Sequence, residues 1–250
     1  MIKTLFHLLK IGNVTQTALF PDLPEYCRGL PSPTGRPCAD GCAACEDACP
    51  TAAIAVSRGS LTLDRGRCIA CGACVAACES GALIDDRGTK VATASREALV
   101  LSTGGARAES SVSSPFNGPF RRSLHYREVS TGDNASDLEV AATNNPIFDA
   151  SRFGVHVVAS PRHADALVVT GPVARAMREP LLRCHAAMAE PRIVIAVGAS
   201  AISGAPHCGG YAEADGVGAV LKTDIFVPGH PPHPWYILHG LLLAMGREIE

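Results

Sequence analysis

Aromatic residues are scarce in this chain, at 5% of 250 residues, and charged residues reach only 18%. With few large rings, a core has to be assembled from Ala, Val, Ile and Leu, which suits tightly wound α/β layers. There is no excess of positive charge: 22 Lys and Arg stand against 24 Asp and Glu, a formal net charge of −2. A general nucleic-acid binder would carry a basic surplus, so nucleic acid is not an expected partner. No run approaches the roughly 18 apolar residues that a membrane-spanning helix requires. No secretory leader is expected either. Lys3, His7 and Lys10 interrupt the apolar residues Ile2, Leu5, Phe6, Leu8 and Leu9, and no small-residue cleavage site follows. The expectation is a cytoplasmic protein whose thiols are reduced or bound to metal. Apolar residues make up 47% of the chain, ample for a packed core and too many for disorder.

Cysteine is what the sequence does have. Of 11 cysteines, eight lie between Cys38 and Cys78, while Cys27, Cys184 and Cys208 are scattered. The second half of the cluster reads Cys68-x2-Cys71-x2-Cys74-x3-Cys78, the spacing of a bacterial-type [4Fe–4S] site. The first half reads Cys38-x3-Cys42-x2-Cys45-x3-Cys49-Pro50, one residue longer at its first gap. Three thiolates on one tight loop can bind three irons of a cube, while the fourth cysteine, a few residues on, faces the neighbouring cube. By that rule Cys38, Cys42, Cys45 and Cys78 hold one cluster, and Cys68, Cys71, Cys74 and Cys49 hold the other. The competing assignment is zinc, since paired Cys-x2-Cys motifs also build zinc sites of four thiolates. Zinc explains neither two consecutive four-cysteine runs nor the proline after Cys49. Glu79 stands where a proline often follows the last cysteine, and its charge should lower the potential of the nearby cluster.

The module is an internal repeat, with Cys49-Pro50-Thr51-Ala52-Ala53-Ile54 answered by Cys78-Glu79-Ser80-Gly81-Ala82-Leu83. Each half reads as a cysteine-bearing loop, a short helix and a brief strand, and the whole resembles a ferredoxin carrying two clusters. The expected division is an N-terminal arm at 1–36, the two-cluster domain at 37–88, a linker at 89–122 and a second domain at 123–250. Within the linker, residues 102–119 are rich in Ser, Gly and Pro and read as a loop. In the second domain, residues 155–159, 166–170, 192–197 and 223–227 are apolar, β-branched runs ending at Gly, Pro or Ser. Helical periodicity covers 173–188 and 234–246, and residues 204–218 form a Gly-rich connection. Continuous apolar strands separated by helices imply a parallel sheet covered on both faces. Sites in such sheets form beyond the carboxyl ends of the strands.

Several segments of the second domain resemble one family. They are Arg121-Arg122-Ser123-Leu124-His125-Tyr126-Arg127-Glu128-Val129, Asn144-Asn145-Pro146-Ile147-Phe148-Asp149, and Arg152-Phe153-Gly154-Val155-His156-Val157-Val158-Ala159-Ser160-Pro161-Arg162-His163-Ala164-Asp165. With Val169-Thr170-Gly171-Pro172-Val173, Ile195-Ala196-Val197-Gly198-Ala199 and Val227-Pro228-Gly229, they are similar to the small subunit of complex-I-related membrane-bound [NiFe]-hydrogenases. Formate hydrogenlyase is one example, and the corresponding subunit of NADH–quinone oxidoreductase is a relative. The resemblance covers about 121–250. It implies a flavodoxin-like fold, so that the fold class is α/β with an N-terminal module for two [4Fe–4S] clusters. It also implies a cytoplasmic subunit held at the inner face of the membrane by a hydrogenase-like large subunit and membrane-embedded complex-I-like subunits. A ferredoxin or a dehydrogenase is then the electron partner.

Members of that family hold one further [4Fe–4S] cluster on four cysteines at the strand-end loops. The corresponding positions here are Asp133, Ser136, Ser200 and His230, so all four thiolates are replaced. A cubane without soft thiolates is chemically disfavoured, and no third cluster is expected. Two readings of the remaining polar residues stay open. His207, Cys208, His230, His233 and Asp133 either form a mononuclear metal site or are ordinary loop residues. Cys184 falls on a helix, where a buried free thiol suffices. The sequence contains no catalytic centre of its own. The expected function is electron transfer, with a non-redox scaffold as the alternative. The amphipathic arm is left with two destinations, a membrane-embedded partner or this chain's own second domain.

Overall fold

The computed structural model of the protein describes residues 2–12, 18–103, 121–132 and 135–247. It opens with a helix, α1 (Ile2–Ile11). The cysteine-rich part contains β1 (Leu30–Pro33), α2 (Ala44–Asp47), β2 (Ile54–Ser57), β3 (Ser60–Asp64), α3 (Ala73–Ala76), β4 (Leu83–Asp86) and β5 (Val100–Ser102). β2 and β3 form a hairpin closed by Arg58 and Gly59, with φ of 50° and 75°. Positive φ at both loop residues is what a two-residue turn needs to match strand twist. β3 also pairs with β5, and β1 pairs antiparallel with β4, so the arm supplies an edge to the second half of the repeat. A buried Arg65 ties these pieces together. Its guanidinium donates to the Pro31 carbonyl (3.1 Å) and to Asp86 Oδ2 (2.8 Å), and its own carbonyl accepts from the Cys68 amide (3.3 Å).

The rest of the chain builds a five-stranded parallel sheet from β6 (Leu124–Ser130), β7 (Val155–Val157), β8 (Ala166–Thr170), β9 (Ile193–Val197) and β10 (Ile225–Val227), in the order β10-β9-β8-β6-β7. The helices are α4 (Ser136–Ala142), α5 (Arg175–Ala186), α6 (Ala199–Ser203) and α7 (Pro234–Ala244). Every residue of β8 and β9 is buried, as expected for central parallel strands covered on both faces. The two-residue alternation splits them cleanly. Val168, Ile195 and Val197 join the core under α7, while Leu167, Val169, Val194 and Ala196 join the core under α5 and α6. Ten of the eleven residues of α7 are buried, so its hydrophobicity runs all round. Pro234 fits its first turn, and His233 Nδ1 caps it by accepting from the Trp235 amide (3.2 Å). The expected helix over 173–188 begins later, at Arg175. Val173 has φ of 61° and Ala174 is extended, which no helix accommodates.

The two halves are stitched by the segment between them. Thr93 and Phe226 exchange backbone hydrogen bonds (2.9 and 2.8 Å), and the Ala92 amide donates to His239 Nδ1 (3.0 Å). Phe20 of the arm stacks edge-on to Trp235 at 5.4 Å, and Leu23 and Leu30 enter the same core. Most of the expected loop at 102–119 lies outside the described residues.

Candidate functional site

The internal repeat places the thiols. Cys45 and Cys74 sit on the single turns α2 and α3 and are buried, whereas Cys42 and Cys71, on the loops before them, are exposed. The residue before Cys42 is Gly41 (φ 71°) and the residue before Cys71 is Ala70 (φ 53°). The extra residue of the first loop therefore leaves this left-handed step in place. After the fourth cysteine of each half a second left-handed residue recurs, Ala52 (φ 48°) after Cys49 and Gly81 (φ 65°) after Cys78.

The thiols act on one another electrostatically across the two repeats. Cys38 is raised in pKa by burial and then by Cys78 and Cys42, and Cys45 by burial and then by Cys38 and Cys78. Cys68 is pushed up to about 12 by burial first, a backbone hydrogen bond from Ala70 opposing, with Cys74, Cys49 and Cys71 adding to the rise. Cys74 reaches about 11 through burial, then Cys49 and Cys71, with a lesser contribution from Cys45 across the two groups. Cys78 of the second repeat thus lies near Cys38 and Cys45 of the first, and Cys49 of the first near Cys68 and Cys74 of the second. Thiols so placed resist carrying four negative charges unless cationic iron offsets them, which is the chemistry of a thiolate-held cluster. Cys49, Cys68, Cys71 and Cys74 line one small pocket, walled by Ile54 and Leu63. Among the described residues, no three His, Cys, Asp or Glu converge on one ion position. A cube spreads its four thiolates over four irons and does not ask for such convergence.

Groups outside the motif also reach the sulfurs, and sequence reasoning missed them. Thr51 Oγ1 lies 3.8 Å from Cys49 Sγ and Ser80 Oγ 3.6 Å from Cys78 Sγ, each two residues after its cysteine. The Ala53 amide donates to Cys49 Sγ (3.2 Å) and the Ala70 amide to Cys68 Sγ (3.4 Å). Burial raises Cys78, but the hydrogen bonds of Ser80 and of the Leu83, Ala82 and Gly81 amides outweigh it, and its pKa is lowered. Arg28 of the arm donates to the Cys71 carbonyl (2.8 Å). The matched Thr51 and Ser80 of the repeat were the available signal.

At the carboxyl ends of the parallel strands, Ser200 is fully buried in the first turn of α6, and its hydroxyl lies 3.4 Å from His230 Nδ1. Burial, then the neighbouring His207, lowers the His230 pKa and favours neutral imidazole. Ser136 is buried at the start of α4, and Asp133 lies outside the described residues. His233 spends Nδ1 on capping α7 and packs against Phe148 at 5.6 Å. Cys208 is exposed, and Cys184 is half-buried on α5 with its pKa raised by burial. Asp165 is engaged by His125, whose amide donates to it at 2.8 Å. A hydroxyl and an imidazole bonded to each other are not soft ligands, so Ser200 and His230 do not fit a cubane. Ser203 Oγ, one turn along α6, donates to the Gly66 carbonyl (2.9 Å), which brings this region beside the Cys68 loop.

Residues 38–82 match the 4Fe-4S dicluster domain, and residues 134–244 match the family described as NADH ubiquinone oxidoreductase, 20 Kd subunit. A probable membrane-bound hydrogenase subunit of Pyrococcus furiosus is 42% identical over 127 residues, covering 50% of this chain and 76% of that one. The chain belongs to the 20 kDa subunit family. A fellow member, an NADH-quinone oxidoreductase subunit of Carboxydothermus hydrogenoformans, is 43% identical over 114 residues, covering 45% of this chain and 68% of the other. Formate hydrogenlyase subunit 7 of Escherichia coli is 42% identical over 126 residues, covering 50% of this chain. The match spans about half (49%) of that relative's length. In this member, the family domain is fused to an N-terminal iron–sulfur domain.

Proposed function

We propose that the chain is the electron-transfer subunit of a membrane-associated, complex-I-like and hydrogenase-related complex, similar to formate hydrogenlyase, with two [4Fe–4S] clusters and no third. The observation that carries this reading is the pocket at which Cys49 of the first repeat meets Cys68, Cys71 and Cys74 of the second. Cys38, Cys42, Cys45 and Cys78 would hold one cluster, and Cys49, Cys68, Cys71 and Cys74 the other. When bound, such a cube supplies a reversible one-electron couple. The chain's own groups do the rest. Ile54 and Leu63 give the second quartet an apolar wall, and the Ala53 and Ala70 amides and the Thr51 and Ser80 hydroxyls hold the sulfurs and stabilise added electron density. Glu79 opposes them.

The domain division at 36, 88 and 122 belongs to this proposal, as do a hydrogenase-like large subunit, membrane-embedded partners, a ferredoxin or dehydrogenase as electron partner, and a place on the inner face of the membrane. The contact between Ser203 and Gly66 supports an order in which the Cys68 quartet lies inward, beside the replaced site, and the Cys38 quartet outward. The pairing of Ser200 with His230 favours a second reading, in which the family domain only docks a large subunit and the clusters stiffen the fold. Electron paramagnetic resonance on the anaerobically purified complex separates the two. Electron transfer predicts reduced-cluster signals with a physiological donor as well as with dithionite. Signals with dithionite alone, under every donor, leave only the scaffold.

A further inference from the structure

We propose that α1 lies in the interface of an anionic lipid bilayer, its apolar face among the acyl chains and its lysines among the headgroups. At 100° per residue, Ile2, Leu5, Phe6 and Leu9 fall within an arc of about 100°, and Lys3, His7 and Lys10 within about 60° beside it. The apolar face is bare: Ile2, Leu5, Phe6 and Leu9 are 73%, 57%, 66% and 71% exposed. Four large apolar side chains on one uncovered face are costly in water and call for a covering surface. Among the described residues the chain's own core does not provide it, because the described arm residues that join that core begin at Phe20. A lipid surface is a third destination for the arm, beside the two that the sequence left open.

Charge selects the occupant. The helix has two lysines and a histidine and no acidic residue. A basic flank beside an apolar stripe fits a negatively charged lipid surface, where each lysine adds to binding. Crossing the bilayer is not in question, because no helix among the described residues is long and apolar enough. The proposal is independent of the cluster assignment and gives the chain its own hold on the membrane, in addition to any hold through partner subunits.

The test is co-sedimentation of the anaerobically purified full chain with vesicles of phosphatidylcholine containing phosphatidylglycerol, and with vesicles of phosphatidylcholine alone. Binding is expected to the first and to weaken with salt. Leu5→Glu with Phe6→Glu should weaken it at least about tenfold, because two buried anchors become charged. Lys3→Ala and Lys10→Ala should each cost about fivefold on the anionic vesicles and little on the neutral ones. Because Lys3, Leu5, Phe6 and Lys10 are exposed, all variants should keep the iron content and visible absorption of the parent, which separates lost binding from lost folding. No binding to the anionic vesicles, or equal binding by the Leu5→Glu, Phe6→Glu variant, overturns the proposal. Membrane retention in cells that needs partner subunits, without vesicle binding, overturns it equally.

Discussion

Replacing Arg65 with Met tests whether one buried cation holds the arm, the second repeat and a cysteine loop together. The Arg65 side chain is 3% exposed and Asp86 is 27% exposed, with their charged atoms 2.8 Å apart. Met fills much of the space but removes a charge-assisted hydrogen bond to Asp86 and a second bond to the Pro31 carbonyl. Breaking a fully buried pair costs about 3–5 kcal/mol; partial access of water to Asp86, which also accepts from the Gly88 amide, reduces this to about 2–3 kcal/mol. The loss falls on β1 and β4, whose pairing Arg65 braces from the side. Local opening of these strands should become about 30- to 150-fold more frequent. Hydrogen exchange read by mass spectrometry checks this in peptides covering Leu30–Pro33 and Leu83–Asp86, with β8 and β9 as internal controls. Parental exchange in β1 and β4, in a variant that has lost the Arg65 contacts, would refute the reasoning.

Gly240→Ala places a methyl 2.5 Å from Val227 Cγ2 in the packed face between α7 and β10. The strain, about 1–3 kcal/mol, should outweigh a helix-propensity gain of about 1 kcal/mol, and thermal unfolding should show a net loss. Burial, then the nearby Asp137 carboxylate, raises Glu128 from 4.5 to about 7, with Arg127 opposing. Between those values the folded chain keeps a proton that the unfolded chain has released, so stability falls as pH rises through this window. Glu128→Gln should abolish that slope and stabilise the chain above pH 7 by about 1–3 kcal/mol, a range lowered for partial exposure, as measured by denaturant titration across the window. Restoring thiols by Asp133→Cys, Ser136→Cys, Ser200→Cys and His230→Cys together should add about four irons per chain on reconstitution, read by iron and sulfide analysis.

The parallel sheet was legible where burial is two-sided. Residues 166–170 appear as β8 without a shift, because Ala-Leu-Val-Val-Thr has no polar interruption to blur its edges. β6 carries His125, Arg127 and Glu128 and does not read as an apolar run, although it pairs with both β7 and β8. β1 is hidden by Pro31 and Pro33, which remove two amide donors; a two-stranded edge pairing tolerates them. The cysteine spacing announced the ligand chemistry, but Arg28, Thr51 and Ser80 act through geometry that only the fold supplies. The fate of His233 was equally illegible. Its role as a cap depends on where α7 starts, not on which metals histidine favours.

The most direct test of the two-cluster assignment is a crossed pair of substitutions, Cys49→Ala and Cys78→Ala, followed by Mössbauer spectroscopy with iron and acid-labile sulfide counts on anaerobic protein. The parent should hold about eight irons as two cubes. Cys78→Ala should damage the cube of Cys38, Cys42 and Cys45, and Cys49→Ala the cube of Cys68, Cys71 and Cys74, so that each variant loses a different spectral component. Loss of the same component in both variants, or a parent that contains single ions and no labile sulfide, would contradict it.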